Sequence, residues 1–119
     1  ELDTAGEDAI ALVAAGTVVS RRPGRVVLDV GSKVLGADRP AWATGFGRVP
    51  GQPEARVTAL SEHHATVTWS AGQMPDLGAT VAVVPNHVCA AVNLADELIV
   101  VHAGVVTETW RVAARGANS

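Results

Sequence analysis

The chain has one cysteine, one lysine, no tyrosine and an aromatic content of only 3%. The lone cysteine, Cys89, excludes an internal disulfide and with it a small secreted scaffold held by cross-links. With so few rings, a core must be built mainly from Val, Ala and Leu. Hydrophobic residues fill 48% of the 119 positions, enough for one domain but few for a complete metabolic enzyme. No apolar run approaches the ~18–20 residues of a membrane span, and no charged-then-apolar leader opens the chain. There is no basic run either. Eight arginines and Lys33 are scattered, and the formal net charge is −3, which argues against a phosphate backbone as partner. The expectation is a cytoplasmic protein that engages neither membrane nor nucleic acid. A start at Glu1 rather than Met leaves open that the chain was processed or cut from something longer.

What the chain does contain is a succession of strand signals. Segment 9–20, AIALVAAGTVVS, has alanines that would permit a helix, but Gly16 followed by Thr17, Val18 and Val19 favours a buried strand. Pro23 and Gly24 make a turn into RVVLDV (25–30). Residues 31–54 hold five glycines and three prolines and read as one long irregular loop, a feature that is often functional. ARVTAL (55–60) and ATVTW (65–69) alternate, placing Val57 with Ala59 and Val67 with Trp69 on single faces, joined by the tight turn SEHH. TVAVVP (80–85) is an apolar strand stopped by proline. ELIVV (97–101) and VVTETWRV (105–112) flank the hairpin loop HAG. The count of about seven strands, with at most short helical turns, predicts an all-β fold: a single closed or partly closed barrel, closure removing exposed edges.

Two residues stand out chemically. In VPNHVCAAVNL (84–94), His87 and Cys89 lie at i and i+2. On extended backbone both side chains point to one side, with Cα atoms about 6.5–7 Å apart. Imidazole at about 2.0–2.1 Å and thiolate at about 2.3 Å can then converge on one zinc ion. That geometry asks for non-helical backbone as far as Cys89, with helix beginning only at AAVNLAD. Two ligands leave positions open, as a catalytic metal requires. Judged on spacing alone, the plainer reading is the stronger one: a small buried cysteine beside a polar loop histidine. His63 and His64 read as solvated turn residues and His102 as an exposed residue at a strand end. Lys33, in DVGSKVL, invites a Schiff-base role, but GSK lacks P-loop spacing and does not clearly open a helix, so it reads as a loop lysine. Glu108 interrupts the face of Val106, Trp110 and Val112, paired or solvated.

Taken together, TVVSR (17–21), VVLDVGSKVLGADR (26–39), ALSEHHA (59–65), VPNHVCAAVNLADELIVV (84–101) and WRVAARG (110–116) resemble the C-terminal domain of the D-serine dehydratase and D-threonine aldolase family. The PNHVC…VNL stretch is the most specific and LDVGSK the next. The resemblance covers most of the chain, so residues 1–119 are expected to form the β domain of a larger enzyme. Its partner is an N-terminal α/β barrel of the alanine racemase type, absent from this chain, whose lysine holds pyridoxal phosphate. Lys33 is thereby relieved of that role.

The family's histidine and cysteine fall on His87 and Cys89, which implies a catalytic zinc or another divalent metal there. The aldolase branch typically has an aspartate at the second position, so Cys89 favours the dehydratase branch. The implied chemistry is elimination from a β-hydroxy D-amino acid to a keto acid and ammonia, the zinc activating the hydroxyl leaving group. The complete enzyme would be a homodimer, and this chain alone would be inactive. His64 occupies the family's EH position, a candidate catalytic neighbour; His63 departs from the glutamate common there and inherits no role. Retro-aldol cleavage of the D-threonine aldolase kind is one alternative. A non-catalytic barrel serving binding or oligomerisation is another.

Overall fold

The computed structural model describes residues 6–117, and its organisation follows from where valines alternate and where glycine and proline interrupt them. Eight strands form among the described residues: β1 (Ala14–Arg22), β2 (Arg25–Leu28), β3 (Gly47–Val49), β4 (Gln52–Leu60), β5 (Ala65–Thr68), β6 (Thr80–Pro85), β7 (Glu97–His102) and β8 (Val105–Arg111). A 3-10 turn (Glu7–Ala9) precedes them. Two short helices, α1 (Ser32–Leu35) and α2 (Val88–Leu94), follow β2 and β6. The first six strands close a barrel in the order β1-β2-β5-β4-β3-β6, every pairing antiparallel, while β7 and β8 form a separate ribbon. The all-β barrel expected from the sequence is the architecture found.

The barrel interior is filled mostly by branched aliphatic side chains at alternate positions. Val26 and Leu28 of β2, Ala55 and Val57 of β4, Ala65 and Val67 of β5, and Val81 and Val83 of β6 are all buried, with Val18, Val30 and Trp69. Fully burying a side chain of this size contributes on the order of 1.5–3 kcal/mol, so repetition of modest valines substitutes for the missing aromatics. Gly16 of β1 is required by this packing, since a Cβ there would lie 2.5 Å from Val30 Cγ1.

Three local features differ from the sequence reading. A register irregularity between Val57 and Ala59 exposes Ala59 and leaves Leu60 half-buried against the core, so strict alternation fails at that point. A bulge between Val100 and Val101 puts Val106 opposite Val101 but Glu108 opposite Val100, which separates Val106 from the face of Trp110. Glu108 is paired there, its Oε2 accepting from Trp110 Nε1 at 2.8 Å. The long 31–54 segment is also not one loop. It contains α1, all of β3 and the start of β4. Ser32–Leu35 turns helical because Ser32 and Lys33 donate backbone bonds to Ser61 and Glu62 oxygens across the structure, a tertiary anchor with no local sequence signal.

The two helices touch each other. Gly36 ends α1 with φ +72, and a Cβ there would stand 3.3 Å from Ala90 Cβ of α2. This contact sets the start of α2 beside the chain that leaves α1. Among the described residues, no helix is long and apolar enough to cross a membrane.

Candidate active site

Strand β6 ends at Pro85, opposite Gly47 of β3, and the chain leaves the barrel there as Asn86 and His87. Proline cannot donate a further ladder bond, so the strand stops and the next two side chains are free for other work. Asn86 Nδ2 donates to the main-chain oxygens of Asp38 and Gly45, each at 2.9 Å. One amide thereby holds both ends of the segment 38–45 against the barrel rim.

His87 is the residue just before α2, on extended backbone with φ −139 and ψ 101. Its Nδ1 is hydrogen-bonded to Asp38 Oδ2. An ionised carboxylate only accepts, so Nδ1 donates; in the neutral ring Nε2 then keeps its lone pair. The two side chains line a cavity of about 440 Å³ together with Arg39, Pro40, Trp42 and Asn86. Trp42 is largely exposed on its wall. A second hollow of about 270 Å³ shares Trp42 and Asn86 and is bordered by Arg48 and Arg56, so the rim carries cationic as well as anionic groups. Arg39 lies over the Phe46 ring at 5.7 Å, which steadies the same segment.

Cys89 falls in the first turn of α2, because the helix starts at Val88 rather than after Cys89. The thiol is exposed, which sets aside the picture of a small cysteine sealed in the core. His87 and Cys89 therefore flank the start of α2, His87 on extended and Cys89 on helical backbone, so the fully extended geometry that would point both side chains to one side is not the one found. Among the described residues, no group of three or more His, Cys, Asp or Glu side chains is placed to hold a metal ion.

The other candidates are not among the residues that line the cavity. His63 and His64 occupy the exposed turn between β4 and β5, where Ser61 N donates to His64 O at 2.9 Å. His102 ends β7 opposite Val105 and is exposed. Lys33 Nζ pairs with Glu62 at 2.8 Å on the surface. The residue missed by sequence reasoning is Asp38. It lies 49 positions from His87, and no spacing rule joins the two. Its only trace was its place in VLGADR, near the end of one stretch that carried the resemblance.

A small antiparallel barrel, with a histidine–carboxylate pair and a thiol where its sixth strand passes into a helix, defines the class. Residues 11–101 match the family model described as "Putative serine dehydratase domain", and the chain belongs to that family. An uncharacterised protein of Mycobacterium tuberculosis is 55% identical over 92% of this chain and 86% of its own length. The D-threonine aldolase of an Arthrobacter species is 41% identical over 84% of this chain. The crystal structure of D-threonine aldolase from Filomicrobium marinum superimposes with a TM-score of 0.78 at 33% identity, over 97% of this chain. The chain spans only 26% of the Arthrobacter aldolase and 32% of the Filomicrobium one. D-threo-3-hydroxyaspartate dehydratase from a Delftia species shares the fold, with a TM-score of 0.74 at 22% identity over 86% of this chain and 32% of its own. That dehydratase is also known as alanine variants of one histidine and of one cysteine two positions apart, the cysteine variant in a metal-free form.

Proposed function

We propose that this chain is the metal-bearing β domain of a pyridoxal-phosphate-dependent lyase acting on β-hydroxy D-amino acids, with His87 and Cys89 as its metal ligands. The observation that carries the reading is the pairing of His87: Asp38 occupies Nδ1, which leaves Nε2 of the neutral ring open, two positions along the chain from an exposed cysteine. Imidazole and thiolate suit zinc, and a two-ligand protein shell leaves room for substrate oxygen. The named relatives lend support, since D-threonine and D-threo-3-hydroxyaspartate both carry a β-hydroxyl.

When bound, the metal would supply Lewis acidity toward the substrate hydroxyl, and pyridoxal phosphate, held by a barrel outside this chain, the electron sink. This chain's own residues do the positioning. Asp38 holds the His87 ring, Asn86 holds the segment that carries Asp38, and Trp42 lines one wall. Elimination is favoured by Cys89 in place of aspartate. Retro-aldol cleavage is the second reading, favoured because the relatives at 41% and 33% identity are aldolases.

The test is product release from D-serine, D-threonine and D-threo-3-hydroxyaspartate by the complete assembly of this chain with its cofactor-binding barrel. Keto acid released in a chelator-sensitive, zinc-restored and His87-dependent manner supports the dehydratase. Glycine and an aldehyde point to the aldolase. Neither product from any of the three substrates would sink the lyase reading.

A further inference from the structure

We propose that Asp38 is a positioning residue that fixes the tautomer of His87, so that Nε2 rather than Nδ1 faces the metal. The inference rests on the metal reading above and extends it to a residue that neither the family match nor the relatives assign.

Three observations converge on Asp38. Its carboxylate meets His87 Nδ1, while its main-chain oxygen accepts from Asn86 Nδ2 at 2.9 Å. It is therefore tied to two consecutive residues, by backbone to one and by side chain to the other, which sets the direction of the carboxylate as well as its distance. The pair is also poorly placed to serve stability. The His87 and Asp38 side chains are 53% and 49% exposed, and pairs so exposed contribute little to folding. Nor is the pair needed to pin the 38–45 segment, because Asn86 already does so at both ends. What remains is orientation. An unrestrained neutral histidine ring favours hydrogen on Nε2, the wrong form for a ligand using that nitrogen. A carboxylate on Nδ1 reverses the preference and stops the ring from rotating.

The experiment uses the full 119-residue chain. Nitrogen-15 NMR of the metal-free protein at about pH 8, above the ordinary histidine range, reads the His87 tautomer without any catalysis. Zinc affinity is measured in parallel by competition with a chromophoric chelator, for the native chain, Asp38→Ala, Asp38→Asn and His87→Ala. The native chain should show hydrogen on Nδ1. Asp38→Ala should move it to Nε2 and weaken zinc by roughly 10–100-fold. Asp38→Asn, whose Oδ1 still accepts, should keep the tautomer and lose less affinity; its result also stands if the alanine variant fails to fold. A native ring with hydrogen on Nε2, or zinc affinity unchanged in both Asp38 variants while His87→Ala abolishes it, overturns the role of Asp38 alone. Zinc binding unaffected by His87→Ala overturns the metal reading and this proposal with it.

Discussion

Asn86 Nδ2 lies 2.9 Å from the main-chain oxygen of Gly45, and the same nitrogen reaches Asp38 O at the same distance. One side chain at the end of β6 thus carries the segment that holds the Asp38–His87 pair. Asn86→Ala removes both bonds and strands the partly buried Gly45 acceptor. The expected cost is about 1–3 kcal/mol in urea unfolding, with faster amide exchange confined to residues 38–46. Unchanged exchange there would show that the segment is held by other means.

Gly31 is placed by crowding, not by a left-handed backbone, since its φ is −117. A Cβ there would stand 2.4 Å from Ser61 O and 2.5 Å from His64 N, both backbone atoms that cannot swing aside. Gly31→Ala should therefore destabilise by about 1–3 kcal/mol or more, as overpacking does. Gly51, with φ +71 and open space around it, should cost only about 1–2 kcal/mol as alanine, from conformation alone. Thermal unfolding of the two variants compares them directly, and the reverse order would contradict this reading of the α1 anchor.

Leu28 is fully buried in the barrel, while Val105 is 64% exposed on the ribbon. Leu28→Ala should lose about 2–5 kcal/mol, and Val105→Thr should stay within about 0.5 kcal/mol. Equal losses would show that the ribbon is part of the cooperative core.

Lys33 and Glu62 pair at 2.8 Å with side chains 57% and 71% exposed. Lys33→Ala should cost under about 1 kcal/mol and leave cofactor binding by the complete assembly unchanged. Loss of cofactor absorbance would return this lysine to the chemistry.

The barrel was legible because its information is local. Val26 with Leu28, Val67 with Trp69, and Val81 with Val83 alternate in plain view, and Gly or Pro marks most of the turns. Legibility failed where a distant partner decides. Ser32–Leu35 becomes helical through Ser61 and Glu62, β3 forms only because β4 and β6 flank it, and Ala59 is turned outward by a register shift. The candidate site divides the same way. His87 and Cys89 could be picked out as neighbours, whereas Asp38 could not, since the fold alone brings it across 49 positions.

The most direct measurement is cobalt(II) titration of the purified chain followed by absorption spectroscopy, with Cys89→Ala and His87→Ala alongside. Coordination by Cys89 and His87 predicts a thiolate-to-cobalt charge-transfer band that saturates at one equivalent. That band should vanish in Cys89→Ala and require far more metal in His87→Ala. A chain that takes up no cobalt, or gives a band indifferent to both substitutions, would contradict the account of this domain as a metal-bearing half of a lyase site.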